Sequence, residues 1–197
     1  MNVHKQRIMK NFNPLYSFIK THIRLVLGKI SFKPILVGKT VQMPNKETFR
    51  IFRHVKIRNK EIYNTPAVFR VKFKTKNMST RANHRFSVLP IPLFIGLPGF
   101  IEKYWMDNDE TGYSQGIYQW KSKEHAIAYS KSFAFRFMQK RSVKGSIDFE
   151  ILDDTKIDQY MEELKGIQSS SKKKNNDITK AYSIFGNTMS HSHQTQL

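Results

Sequence analysis

From Ala67 to Lys76 the chain alternates, with Ala67, Phe69, Val71 and Phe73 on one side of an extended backbone and Val68, Arg70, Lys72 and Lys74 on the other. A period of two over that length dictates a half-buried strand, which must bury its apolar row against another element. Ser79 or Thr80 can cap a helix carrying Ala82, Phe86 and Leu89 on one face, and Pro90 and Pro92 end it before an apolar irregular link through Phe94. Gly96, Pro98 and Gly99 then turn the chain into a strand from Phe100 to Met106. Asp107 to Gly112 reads as a hairpin loop, and Tyr113 to Trp120 as the return strand. Ser122 is placed to cap a second helix whose buried stripe is Ala126, Tyr129, Phe133 and Phe137, with Lys140 and Arg141 at its C-terminal end. Gly145 releases a last strand in which Ile147, Phe149 and Ile151 alternate with Ser146, Asp148 and Glu150. The order is βαββαβ, an α+β domain. Its first and last strands are neighbours, which sets Arg70, Lys72 and Lys74 beside Asp148 and Glu150 on the helix-free face.

Three regions follow: a basic N-terminal arm over residues 1–66, the domain over 67–160, and a polar tail over 161–197. Of 34 Lys and Arg against 15 Asp and Glu, the arm holds 14 against 2, the domain 15 against 10 and the tail 5 against 3. A pI near 10.1 would ordinarily suggest nucleic acid or anionic membrane as a partner, and here that inference applies chiefly to the arm. Within the arm, Leu15, Ile19, Ile23, Val26 and Ile30 recur at a helical period behind Pro14, giving a basic amphipathic helix. Such a helix could lie on an anionic membrane or serve as an organelle presequence. The commoner use of an apolar stripe is packing on its own domain, and that is the expectation taken here. Residues 31–66, interrupted by Pro34, Pro44 and Pro66, read as an extended arm. The tail opens with a short helix to Leu164 and then becomes Ser169 to Asn176, too poor in apolar residues to fold, so it is expected to be disordered. Lys20, His22, Arg24 and Lys29 interrupt the best candidate for a membrane span. The early basic residues lead into no secretory signal. Cysteine is absent, which excludes disulfides, thiolate metal sites and a cysteine nucleophile. A cytoplasmic location is expected, with peripheral membrane contact through the arm as the variant.

The stretch Leu97, Pro98, Gly99, Phe100, Ile101, Glu102, Lys103, Tyr104, Trp105, followed by Glu110, Thr111 and Gly112 and then by Gly116, Ile117, Tyr118, Gln119 and Trp120, resembles the YdhR-type monooxygenases. That family has a Pro-Gly-Phe entry to its second strand, a lysine and a tryptophan along it, and a Gly-Gly-Ile-Tyr-like third strand. Its second helix carries the pattern met by Ala126, Ala128 and Tyr129. Gln115 stands where the first glycine of the third strand would be. The resemblance covers roughly residues 67–153 and implies a ferredoxin-like protomer that joins its sheet to that of a second copy. The product is a dimeric α+β barrel, a homodimer with a pocket between sheet and helices in each half. Relatives include cofactor-free oxygenases acting on aromatic polyketides and haem-degrading enzymes, so a fold alone names no reaction. The haem degraders use an asparagine, a tryptophan and a histidine, and the first strand here offers no asparagine.

A cofactor-independent monooxygenase needs a dry pocket, hydrogen bonds to a developing enolate and a base. Catalytic candidates are His84 on the first helix and His125 and Tyr129 at i and i+4 on the second. Trp105, Tyr118, Trp120 and Arg85 are candidates for contact with a small aromatic or polyketide-like substrate. Large aromatics more often pack cores and interfaces, and helical histidines are more often solvated or capped. The alternative is a non-catalytic dimeric binder of haem or an aromatic metabolite. A third reading, an RNA-binding module, meets a third strand without the basic-Gly-aromatic pattern of such domains, and nucleic acid is not the expected partner. His191 and His193 form a lone His-x-His without the ligands a metal site needs, so no metal is expected.

Overall fold

The computed structural model of the chain describes residues 13–32, 36–58 and 63–165. In chain order its elements are α1 (Pro14–Val26), β1 (Ile30–Ser31), β2 (Thr40–Gln42), β3 (Thr48–Ile57), β4 (Ala67–Lys74), α2 (Thr80–Phe86) and α3 (Ile91–Ile95). They continue with β5 (Phe100–Asn108), β6 (Tyr113–Trp120), α4 (Lys123–Ser130), α5 (Phe133–Lys140), β7 (Asp148–Leu152) and a last helix, α6, over residues 157–165. The seven-stranded sheet runs β1-β3-β5-β6-β4-β7, with β2 also paired to β3. Strands β4 to β7 and their helices form the antiparallel α+β βαββαβ unit expected from the sequence. Arg70 pairs with Glu150 and Lys72 with Asp148 across β4 and β7, and the Arg70 Nε donates to Glu150 at 2.6 Å.

Several local expectations give way to the structure. The segment read as an extended arm supplies three strands. Of these, β3 lies along the edge of β5, so residues 40–57 belong to the same sheet as the domain. Helix α2 turns Asn83 and Ser87 inward and leaves Leu89 68% exposed, because Asn83 Nδ2 donates to Ser114 Oγ of β6 at 2.9 Å. The link through Phe94 is the short helix α3. The single helix expected after Ser122 is two, since Ser132 Oγ accepts from Phe135 N and starts a fresh helix, which leaves Phe137 half exposed. The expected disordered stretch of the tail and the pair His191 and His193 lie outside the described residues.

The sheet carries a core on each face. Toward α2–α5 lie Phe69, Val71, Trp105, Tyr118 and Trp120 with Phe94, Tyr129 and Phe135. On the other face Val68, Tyr104, Met106 and Ile117 meet Phe49 and Ile51, together with Ile157, Tyr160, Met161 and Leu164 of α6. Gln119 ties α6 down, accepting from Ile157 N and donating to the Thr155 carbonyl at 3.1 Å. The face that the resemblance assigns to a second copy carries α6 and the β2–β3 segment of the same chain. It is also the face on which an RNA-binding module would stack bases.

A β-bulge decides which side chains serve which core. The register of β3 on β5 shifts between Ile51 and Arg53. Phe49 and Ile51 therefore face α6, whereas Val55 and Ile57, in the same odd-numbered row, face the helical side. The second register places Arg53 beside Trp105 and Val55 beside Lys103.

Helix α1 is inverted relative to the sequence expectation. Its buried residues are Ser17 and Thr21, while Leu15, Ile19, Ile23 and Val26 are each more than half exposed, Val26 at 87%. The reason is α3. Thr21 Oγ1 donates to the Pro92 carbonyl and Arg24 Nη1 to the Ile95 carbonyl, so the polar row of α1 satisfies backbone acceptors that α3 leaves open. Asn13 caps α1 by accepting from Leu15 N, and Gly28, at φ +62°, lies just beyond its C-terminal end.

Candidate functional site

A cavity of about 60 Å³ lies between the sheet and the helices, walled by Trp105, Tyr118, Phe94, Asn83 and Arg141 around the side chain of Lys103. On β5 the row facing α6 holds Glu102, Tyr104 and Met106, and the row facing the helices holds Lys103 and Trp105. A lysine therefore stands in an apolar row, 4% exposed. Its Nζ is 4.0 Å from the ring centroid of Trp105, 4.2 Å from that of Tyr118 and 4.3 Å from that of Phe94. The ring faces offset part of the cost of burying a cation. Burial nevertheless holds the Lys103 amine well below the usual lysine range, and the positive charge of Arg53 adds to the effect.

The aromatic wall is held from behind. Tyr129 OH donates to Tyr118 OH at 3.0 Å, and burial pushes both phenols above their ordinary range. The Tyr118 ring leans back over Gly116, where an added Cβ would come within 2.7 Å of it. Gly116→Ala is expected to displace that ring and destabilise by about 1–3 kcal/mol, read from a urea denaturation midpoint. At the cavity rim, Arg141 lays its guanidinium 3.3 Å from the Phe86 ring centroid. Arg53 donates to Ser87 Oγ and, at 3.2 Å, to the His84 carbonyl.

Of the sequence candidates, Trp105 and Tyr118 line the cavity. Tyr129 and Trp120 stand one layer behind, their rings 5.0 Å apart. Arg85 borders a separate shallow groove with Met78 and Leu89. His84 is turned to the C-terminal end of β5, hydrogen-bonded to the buried Asp107 and stacked on Phe52 at 3.8 Å. His125 packs over Gly99 with its Nδ1 3.0 Å from Ser122 Oγ. The cavity thus gathers two of the aromatic candidates, Trp105 and Tyr118, and neither histidine. Lys103, Arg53 and Arg141 were not among the sequence candidates; Lys103 stands out only once β5 is seen to be buried along its whole length.

On the opposite face Glu102, 2% exposed, accepts from His54 Nε2 at 2.7 Å and from Tyr104 OH at 3.2 Å, and pairs with Lys56 Nζ at 2.7 Å. This cluster ties β3 to β5. Among the described residues no group of three His, Asp or Glu side chains could hold a metal, and no helix is long and apolar enough to cross a membrane.

No family model matches the chain, and no curated protein does. Among solved structures it is similar to an uncharacterised ferredoxin-fold protein related to antibiotic biosynthesis monooxygenases from Listeria monocytogenes, at 10% identity and a TM-score of 0.42. That likeness covers 69% of this chain and 89% of the other. It is also similar to a protein of unknown function from Nitrosomonas europaea, at 10% identity and a TM-score of 0.40, over 47% of this chain and 91% of that one.

Proposed function

We propose that the cavity beneath the helices binds a small carbonyl or phenolic compound, that the Lys103 amine removes a proton from it, and that the resulting carbanion reacts directly with dioxygen. The observation that carries this reading is the Lys103 amine, buried against the cavity wall of Trp105, Tyr118 and Phe94 and held by that burial well below the usual lysine range. An uncharged lysine near neutral pH is a competent general base, whereas an ordinary one is not. In the overall change an activated methylene becomes a carbonyl: one oxygen atom is retained, and the other leaves as water with the two hydrogens. The ammonium formed at Lys103 returns its proton to the departing hydroxide, which restores the base. The resemblance of residues 97–130 to the YdhR-type monooxygenases points to the same chemistry.

The size of the cavity narrows the substrate. About 60 Å³ corresponds to roughly four water-sized spheres, which suits a short dicarbonyl or the reacting end of a single substituted ring. A fused-ring polyketide or a haem needs far more room.

Oxygen uptake by the purified chain over a panel of small 1,3-dicarbonyls and hydroxylated single rings tests the reading. Activity is expected to rise with pH through a value below the usual lysine range, and to fall by about 10²–10⁴ in Lys103→Met. The same variant is expected to be more stable than the parent at pH 7, on the order of 1–2 kcal/mol, because an apolar chain replaces a buried amine. The sign follows from linkage. Below pH 10 the unfolded lysine takes up a proton that the folded one refuses, so the parent loses stability as pH falls and the advantage of the variant shrinks toward pH 10. Undiminished oxygen uptake in Lys103→Met would end the base assignment. Binding of panel compounds with no uptake by the parent would move the reading to a non-catalytic binder.

A further inference from the structure

We infer that α1 is an interfacial anchor that lays its outward apolar face on an anionic lipid surface. This is independent of the chemistry in the cavity. The row Leu15, Ile19, Ile23 and Val26 points to solvent, and exposed Phe18 and Leu25 widen it on one flank. The opposite row, Ser17, Thr21 and Arg24, is engaged with α3 through the Pro92 and Ile95 carbonyls. The helix is therefore fixed with its greasy side outward, and turning it inward would break those bonds. A soluble domain gains nothing from such an arrangement, and an apolar face rimmed by polar residues marks a contact surface.

Charge selects the occupant. The first 46 residues contain nine Lys and Arg and no Asp or Glu, the first acidic residue being Glu47. Lys20 flanks the apolar row, and Lys29 follows it just beyond the turn at Gly28. A second copy seated on this face would bring the same positive charge to the contact. An anionic headgroup layer over a hydrocarbon interior meets both halves of the surface, and apolar insertion joined to several basic residues is the pairing that gives durable interfacial binding. At 13 residues α1 is about 20 Å long, enough to lie in the interface plane and too short to span it.

The test is sedimentation of the full chain with vesicles of phosphatidylcholine alone or with phosphatidylglycerol, against the double variant Ile19→Gln, Ile23→Gln. The parent is expected to co-sediment with the anionic vesicles only and to be released by about 0.5 M salt. The double variant is expected to partition on the order of a hundredfold more weakly, with an unchanged unfolding midpoint, since both side chains face solvent. Three results would each overturn the inference: a parent that stays in the supernatant with anionic vesicles, equal binding by parent and variant, or a lipid-free parent whose concentration-dependent dimer the variant abolishes.

Discussion

Met161→Ala with Leu164→Ala is expected to bring the chain to the edge of unfolding. Both side chains are fully buried against the sheet in the core shared with Val68, Tyr104, Met106 and Ile117. Truncations of this kind cost about 2–5 kcal/mol each, and a domain of ordinary stability has about 5–15 kcal/mol in total. If the double variant stays folded, α6 should detach and uncover an apolar sheet face, so self-association should appear in sedimentation velocity at micromolar concentration. A double variant that unfolds at the parental urea midpoint and remains monomeric would show that α6 is not the cover of that face. The parent should not associate through it, because its own chain already occupies the place.

Glu102→Ala should be nearly as damaging. The Glu102 carboxylate is 2% exposed, and its removal would leave His54 Nε2, Lys56 Nζ and Tyr104 OH without their shared acceptor. Deleting one partner of a buried charge cluster costs about 3–5 kcal/mol. Glu102→Gln, which keeps an acceptor oxygen, should recover part of it. Burial pushes the Glu102 carboxyl up, but the hydrogen bonds from His54 and Lys56 and the charge of Lys56 outweigh it and hold it below the usual range. A carboxyl lowered in the folded state contributes stability that is present above its unfolded value, near 4.5, and lost as pH falls through the folded one. Acid unfolding followed by far-ultraviolet circular dichroism should begin below pH 4.5 in the parent, and Glu102→Gln should flatten that limb. Identical acid limbs would remove Glu102 from the account.

The strands from residue 67 onward were legible because alternation and Gly or Pro punctuation coincide there; the placing of Arg70 and Lys72 beside Asp148 and Glu150 followed from that alternation and the βαββαβ order. Strand β3 was not legible, although Phe49, Ile51, Val55 and Ile57 alternate, because its bulge sends the two halves of that row to opposite cores. Helix α1 was misread for a different reason. Periodicity reports that a stripe exists, and only the open carbonyls of α3 decide which side of the helix faces the domain. For the site, Trp105 and Tyr118 could be found as aromatics on central strands. Lys103 could not be separated from the surface lysines of the chain until the opposite face of β5 was seen to be closed by α6. The histidines were singled out by type, and the structure places His84 against Asp107 and His125 over Gly99, both away from the cavity wall.

The extra residue near Phe52 acts as a phase shifter. Ahead of it, odd positions of β3 write into one layer of the molecule; past it, the same parity writes into the other, so Arg53 is addressed to the cavity side while His54 and Lys56 are addressed to Glu102. Excising that extra residue would join Ile51 directly to Arg53 and leave every pairing of β3 with β5 in place, whereas adding one residue after Arg53 would exchange the two addresses, sending the side chains of Val55 and Ile57 toward the carboxylate and those of His54 and Lys56 toward the aromatic chamber. Substitution at any one position could not repair that swap, so the length of this strand, more than its composition, keeps the chemistries of the two faces apart.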